Sequence, residues 1–275
     1  MAAAGKRTMP GNPSNQSAKR RKGGDKWRKQ QGNKATIESG DWGVFVTCDM
    51  GREQKCVAEV LDLFSQSVED ATGDVEGDDE FDADADDIEA QIKREMEELQ
   101  PDSKKPKLFR EIRLDIPCVT FIRFDKSIDP VKMVHDLCLD AHANPDRKRS
   151  RWVKRLNPVS SIRKTLSVDL SEFAKEILKP HFHSGGPPRK YAIRPSIRGK
   201  SKFDRDGVIK TVADAVGPEH PVDLKNYDLV ILVDIIQNVI GMSVVGSDYD
   251  KLKRFNLAEL YDPTPKLQAA TVGKD

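Results

Sequence analysis

The spacing of apolar positions in the first part of the chain predicts an α+β unit. The segment GVFVTC predicts a buried strand, and Cys56, Val60 and Phe64 share one face of the helix that follows it. FREIRLDIP and CVTFIRF predict two more strands. Asp129 and Pro130 supply an N-cap and an N1 proline for a second helix, and RWVKRLNPVSSIRK is extended after it. The order strand–helix–strand–strand–helix–strand predicts a ferredoxin-like fold.

The apolar positions of the second part predict another α/β unit. Those from Leu166 to Leu178 predict a helix that Pro180 ends. The strand YAIRPSIR comes next, followed by an amphipathic helix that Asp204 caps. YDLVILVDI and NVIGMSVV predict two buried strands joined by a tight turn, and a short helix is predicted within residues 251–261.

Three segments lack this periodicity and set the predicted domain boundaries. Residues 1–40 are rich in Gly, Asn, Ser, Lys and Arg, which predicts a disordered basic tail. Acidic residues dominate from about 68 to 106, which predicts a disordered insertion. We therefore predict a ferredoxin-like domain over residues 41–159 that contains this insertion, a second domain over 160–261, and a tail over 262–275.

The net charge of +1 conceals a strong separation of charge along the chain. Residues 69–98 hold fifteen acidic residues against Lys93 and Arg94, a net charge of −13, so the rest of the chain carries +14. Basic charge concentrated in patches favours a polyanionic partner such as RNA. The tail run from Lys19 to Lys22 fits a nuclear import signal, an extra RNA contact or a solubilising tail.

The candidate RNA-binding residues form two basic runs, one around Trp152 and one along the strand YAIRPSIR and the loop after it. Basic side chains neutralise phosphates, and arginine also stacks on exposed bases. A solvated surface gives the same pattern, so both interpretations stay open. Arg194, Arg198 and Lys202 are the first candidates. The full set is Arg147, Lys148, Arg149, Arg151, Lys154 and Arg155, then Arg189, Lys190, Arg194, Arg198, Lys200, Lys202 and Arg205.

The sequence offers little for catalysis or metal binding. The four cysteines show no paired spacing, which predicts reduced core thiols, and the histidine pair His181 and His183 has no companion ligand nearby. Glycine-rich nucleotide-binding motifs are missing, as are apolar runs of membrane-spanning length or a signal core. We predict no catalytic residues, no metal, no cofactor and no membrane partner. Asp234 interrupts an apolar strand and fits a buried acid of functional use, but alternation along the strand favours an exposed or edge position for it.

Several segments of the chain also resemble a known family. YAIRPSIR, YDLVILVDII, GMSVV and KRFNL resemble a THUMP domain, and GVFVTCDM with REQKCVAEV resembles the ferredoxin-like domain that precedes it in the eukaryotic THUMP-only adaptors of tRNA cytidine acetylation. The resemblance spans Gly43 to Leu260. It implies an α+β fold in which a ferredoxin-like domain with an acidic insertion is followed by an α/β THUMP domain.

The resemblance also implies a function. Members of this family are non-catalytic adaptors that present serine and leucine tRNAs to an RNA cytidine acetyltransferase, which uses ATP and acetyl-CoA to form N4-acetylcytidine in the D-arm. The implied partners are therefore tRNA and that acetyltransferase, and the expected location is the nucleus or nucleolus, with the cytoplasm as a further site. Two alternatives stay open: a tRNA-modifying enzyme with a degenerate active site, and a general RNA chaperone or ribosome-assembly factor.

Overall fold

A computed structural model describes residues 1–2, 36–72 and 107–263 of the chain. Most of the predicted basic tail, with its run from Lys19 to Lys22, lies outside the described residues. The same holds for most of the predicted acidic insertion and for nearly all of the predicted C-terminal tail. Across the described helices, none combines the length and the apolar character needed to cross a membrane.

The first sheet has the ferredoxin-like topology that the sequence predicts. Its strands follow the order β2-β3-β1-β4, with every neighbouring pair antiparallel. The elements are β1 (Gly43–Cys48), α1 (Glu53–Thr72), β2 (Phe109–Arg113), β3 (Val119–Phe124), α2 (Pro130–Ala143) and β4 (Val153–Val159). Strand β4 is therefore an edge strand of this sheet, next to β1.

The second sheet has the order β5-β8-β7-β6, in which β6 pairs with β7 in parallel and the other pairs are antiparallel. Strand β6, the arginine-rich strand, is an edge strand. The elements are β5 (Ser161–Lys164), α3 (Leu170–Phe182), β6 (Tyr191–Arg198), α4 (Arg205–Val216), β7 (Leu229–Ile236), β8 (Val239–Gly246), a 3-10 turn (Lys253–Phe255) and α5 (Leu257–Tyr261). The predicted α+β fold class is confirmed.

Local sequence signals explain where the helices begin and end. Asp129 caps α2 by accepting hydrogen bonds from the next two backbone N–H groups, and Asp204 caps α4 by accepting one from Gly207. Helix α3 differs from the prediction at both ends. It begins after the cap Asp169, which leaves Leu166 outside the helix with 88% exposure. It also continues through Pro180, because the proline stands in the last turn and costs a single hydrogen bond there.

The two sheets share a hydrophobic core. Alternate side chains of the second sheet, such as Ala192, Val230 and Leu232, belong to the same buried cluster as Val44 and Leu156 of the first sheet. The side chains on the opposite face pack against α3 and α4, among them Ile193, Ile231 and Val233. The second sheet is thus covered by helices on one face and by the ferredoxin-like unit on the other.

Residues 36–40, which precede the predicted start of the first domain at residue 41, pack against the fold. Ile37 is 7% exposed and belongs to a buried cluster with Phe45 and Ile162. Glu38 forms an ion pair of 2.8 Å with Lys164 of β5. Residues 36–40 therefore contact both sheets. Helix α1 likewise continues to Thr72, beyond the predicted start of the insertion near residue 68.

Candidate nucleic-acid interface

Two of the predicted RNA-binding residues, Arg155 and Arg198, act on one carboxylate where β4 of the first sheet meets β7 of the second. The amide of Asn157 on β4 donates a hydrogen bond of 3.2 Å to the Asp234 carboxylate on β7. Ser196 and Arg198 follow on β6, where Ser196 lies opposite Asp234 in the strand register. The charges of Arg198 and Arg155 both act on Asp234. One residue of each basic run, Arg155 of the first and Arg198 of the second, therefore acts at this junction between the sheets.

Asp234 lies at the centre of this junction, and its predicted exposed or edge position is wrong. The side chain is 4% exposed, because β7 lies between β6 and β8 and its face is covered by β4. Burial raises the pKa of Asp234 to about 6, while the hydrogen bonds of Ser196 and Asn157 and the neighbouring arginines oppose that shift. The strand pattern did not reveal this, because alternation shows which residues share a face but not what packs against it.

The arginines of this junction are held by Asp250 and by main-chain oxygens. Arg194 lies 3.7 Å from the Asp250 carboxylate and donates to the Leu224 carbonyl at 3.2 Å. Arg254, which the sequence did not single out, forms a 2.7 Å ion pair with the same carboxylate. The Nε atoms of Arg155 and Arg194 are buried and lack a hydrogen-bond partner among the described residues.

A left-handed backbone turn presents Arg254 at this junction. Lys253, Arg254 and Phe255 have φ angles of 53°, 57° and 56° in succession. Such angles cost about 1–2 kcal/mol per non-glycine residue, so the turn must be held by its surroundings. Phe255 is 1% exposed and packs edge-on against the Tyr249 ring at 5.0 Å, and Asn256 forms a bridge with Arg155. The buried aromatic pair thus fixes the turn beside β4.

A second group of basic residues lies around Trp152, ahead of β4. The guanidinium of Arg151 stands 4.7 Å from the centre of the indole ring. Two further cations that the sequence did not single out, Arg52 and Lys55 at the start of α1, stand 4.9 Å and 5.3 Å from it. Lys154 instead forms an ion pair of 3.2 Å with Asp49. No sequence signal connects α1 with Trp152, because about a hundred residues separate them.

The remaining candidates divide into paired and unpaired cations. Ion pairs hold Lys148 to Asp262, Arg149 to Asp70 and Asp140, and Lys190 to Asp223. Arg205 donates to the Pro195 carbonyl at 2.9 Å. Among the described residues, no carboxylate lies within 4.0 Å of the cations of Arg147, Arg189, Arg198, Lys200 or Lys202. These five side chains are also exposed.

Carboxylate and histidine side chains line the open pockets, whereas the thiols of Cys56 and Cys138 are buried. One open pocket, about 990 Å³, lies between the end of α1 and α2, where Asp70, Asp129 and Asp136 are among its lining residues. Burial raises the pKa of the Cys56 thiol, and raises that of Cys138 to about 12, so both are inert. Cys118 departs from the predicted core position and is half-buried in a turn.

Of the predicted histidine pair, His183 contacts a backbone carbonyl and His181 is half-buried. His183 Nε2 lies 3.0 Å from the Val216 carbonyl oxygen, and burial lowers the pKa of His181. Within residues 36–72 and 107–263, no three His, Cys, Asp or Glu side chains group as a metal site would require.

Comparison with known proteins identifies the class and then the family. A model of the THUMP domain matches residues 167–245, which cover α3, β6, α4, β7 and β8 up to Val245, so three of the four strands of the second sheet belong to a THUMP domain. An uncharacterized protein of Schizosaccharomyces pombe is 36% identical over 227 residues, which cover 82% of this chain and 77% of the relative.

Two named relatives are similar over comparable lengths. The tRNA acetyltransferase TAN1 of Saccharomyces cerevisiae is 32% identical over 251 residues, covering 82% of this chain and 86% of TAN1. THUMP domain-containing protein 1 of Mus musculus is 31% identical over 268 residues, which cover 91% of this chain and 73% of that relative. The chain belongs to the family of TAN1 and THUMP domain-containing protein 1, which confirms the resemblance found in the sequence.

Proposed function

We propose that this chain is a non-catalytic tRNA-binding adaptor. It presents serine and leucine tRNAs to an RNA cytidine acetyltransferase for N4-acetylcytidine formation in the D-arm. The partner enzyme supplies the acetyl-CoA and ATP chemistry, and this chain positions the RNA. The name of its relative TAN1, tRNA acetyltransferase, supports tRNA as the nucleic acid and acetylation as the reaction.

The observation that carries this proposal is the run from Arg198 to Lys202 at the end of the edge strand β6. Its three cations are exposed and have no carboxylate within 4.0 Å among the described residues. Arg194 lies on the same strand as Arg198, and Arg155 on β4 acts on Asp234 at the junction between the sheets. Phosphate contacts of this kind fix the register and orientation of an RNA without reading its sequence, which is what an adaptor requires.

The name of TAN1 also favours a second candidate, an enzyme with a degenerate active site. Acetylation of cytidine needs a bound acetyl donor and groups that stabilise the reacting amine and oxyanion. Asp234 has the raised pKa of a candidate base, but it is buried in the junction and held by Asn157. This placement supports an adaptor. A general RNA chaperone is the third candidate, and equal affinity for unrelated RNAs would favour it.

The adaptor proposal is tested by tRNA affinity as a function of salt. Several phosphate contacts predict a log–log slope of several units. Reversing the exposed cations with Arg198→Glu, Lys200→Glu and Lys202→Glu removes up to three contacts and lowers the slope by about one unit for each. The matched control is Lys175→Glu, Lys179→Glu and Lys210→Glu on α3 and α4. Equal binding by the two triple variants, with unchanged melting curves, would rule out the β6 run as the RNA platform.

We also propose that the protein acts in the nucleus or nucleolus, with a further fraction in the cytoplasm. The basis is the basic run from Lys19 to Lys22, whose spacing fits an import signal. Imaging the tagged chain with this run changed to alanine tests the proposal. Nuclear accumulation that persists in that variant would contradict the signal.

A further inference from the structure

We propose that Arg52, Lys55 and Arg151, gathered around Trp152, form a separate binding site for the phosphodiester backbone of RNA on the ferredoxin-like unit. The proposal rests on the proposed tRNA-binding function. It adds a contact surface on α1 and on the segment before β4, apart from the β6 run of the THUMP domain.

The geometry brings together cations from two distant parts of the chain. Arg52 and Lys55 stand 4.9 Å and 5.3 Å from the centre of the Trp152 ring, and Arg151 stands 4.7 Å from it. Arg52, Lys55 and Arg151 are exposed. The indole of Trp152 is half-buried and packs against the buried cluster that the two sheets share. The half-buried indole ring therefore attracts the three cations and holds them near its surface.

Glu59 fixes the position of Trp152. One of its carboxylate oxygens accepts a 2.6 Å hydrogen bond from the Ser150 hydroxyl. The same oxygen accepts hydrogen bonds from the backbone N–H groups of Arg151, Trp152 and Val153 at 2.9, 2.8 and 3.1 Å. Four donors on one oxygen hold the backbone before β4 against α1. The indole and Arg151 are thus placed by a contact between α1 and β4.

Because Glu59 is engaged in this way, it does not form an ion pair with Lys55. The two residues are four apart on α1, the spacing at which lysine and glutamate commonly pair. No carboxylate of a described residue lies within 4.0 Å of the cations of Arg52, Lys55 or Arg151. Three like charges gathered around one ring repel one another, and an anion would relieve that repulsion.

The chemistry favours phosphate groups over a stacked base. The three cations stand over the indole, so its π surface is used to hold them. Ordered cations lose less side-chain entropy when they bind an anion than mobile surface lysines do. Because the THUMP domain and this unit share a core, both surfaces lie on one compact unit and can contact successive parts of one RNA.

The first test is charge reversal. Arg52→Glu with Lys55→Glu is compared with Lys175→Glu with Lys210→Glu, which makes the same charge change on α3 and α4. We expect the first pair to weaken tRNA binding and to lower the log–log salt slope by about one to two units, since each lost phosphate contact lowers it by about one. The control pair is expected to leave the slope unchanged.

The second test measures, through the fluorescence of Trp152, whether anions gather at the site. Trp27→Phe and Trp42→Phe leave Trp152 as the single tryptophan of the full-length chain. Iodide, an anionic quencher, is expected to quench its emission more strongly than the cationic quencher caesium, and saturating tRNA is expected to remove that preference. In the Arg52→Glu, Lys55→Glu background the preference for iodide is expected to be lost without RNA.

The outcomes separate this proposal from the proposed function. If the Arg52 and Lys55 reversal leaves tRNA binding and iodide quenching unchanged while the Arg198 to Lys202 reversal abolishes binding, this site is refuted and the adaptor function stands. If tRNA does not bind the native chain at all, the proposed function fails. Iodide quenching equal to caesium quenching in the native site would refute the anion site whatever the RNA result.

Discussion

At the scale of single residues, Asp234 best shows how the two sheets are joined. Its carboxylate is buried on a central strand and accepts a hydrogen bond from Asn157 of the other sheet. The charges of Arg155 on β4 and Arg198 on β6 both act on it. A carboxylate in this position links β4 to β7, and so helps to fix where the basic residues of β4 lie relative to those of β6.

We predict that Asp234→Asn changes the pH dependence of stability. Burial raises the folded-state pKa of Asp234 to about 6, above its ordinary value of 3.8. The native state therefore retains a proton that the unfolded chain has lost, and the contribution of Asp234 to stability falls as pH rises from about 4 to about 6. The raised pKa of Asp234 corresponds to about 3 kcal/mol of stability at a pH below both pKa values, only part of which remains at about pH 4.5, and Asn does not titrate.

Urea unfolding of both proteins at about pH 4.5 and about pH 7.5 measures this effect. The free energy of unfolding of the Asn variant should rise relative to the parent between the two conditions. The contributions of the other titrating groups largely cancel in that comparison. A constant difference, or one that moves in the other direction, would contradict the burial of an ionisable carboxylate at this junction.

At the scale of elements, the turn from Lys253 to Phe255 carries a measurable strain. Gly adopts positive φ without the penalty that other residues have. We predict that Arg254→Gly is more stable than Arg254→Ala by about 1 kcal/mol, although both lose the ion pair with Asp250. Thermal melts of the two variants measure the difference. If the alanine variant is equally or more stable, the left-handed turn is not the native conformation.

The sequence predicts the elements better than it predicts their contacts. The caps at Asp129 and Asp204 and the alternating strands are local signals, and they are confirmed. The helix that continues through Pro180 shows where burial of Phe182 outweighs a local signal. Asp234, Arg254 and the cations of α1 depend on packing between distant segments. Periodicity does not encode such packing, so the sequence alone could not identify their roles.

At the scale of the whole molecule, the shared core joins the two units. The predicted domain boundary near residue 160 falls between β4 and β5, which lie in different sheets. Even so, Leu232 of β7 and Leu156 of β4 are buried in one cluster, and His135 of α2 lies 2.7 Å from Asp248 beyond β8. These contacts hold the ferredoxin-like unit and the THUMP domain together as one compact unit. Such an arrangement suits a protein that positions a long RNA.

We predict that heat unfolds this body in one cooperative transition. One buried cluster spans both sheets, so unfolding either sheet alone would expose apolar surface of the other to water. Partial unfolding is therefore unfavourable, and the two units should unfold together. The calorimetric enthalpy should therefore equal the van't Hoff enthalpy in differential scanning calorimetry. Two resolved transitions, or a van't Hoff enthalpy well below the calorimetric one, would show that the units are energetically independent.

The central claim, that this chain positions tRNA without performing chemistry, is tested most directly by reconstitution. The purified chain, the RNA cytidine acetyltransferase, serine tRNA, ATP and acetyl-CoA are combined with one component withheld at a time, and N4-acetylcytidine is measured by mass spectrometry of the digested tRNA. We predict that N4-acetylcytidine forms only when both proteins are present. We also predict that the Arg198→Glu, Lys200→Glu, Lys202→Glu variant lowers the amount of product at least about tenfold, because misplacing the RNA by about an ångström costs on the order of a hundredfold in rate. Acetylated tRNA formed by this chain alone would contradict the adaptor function and establish it as an enzyme.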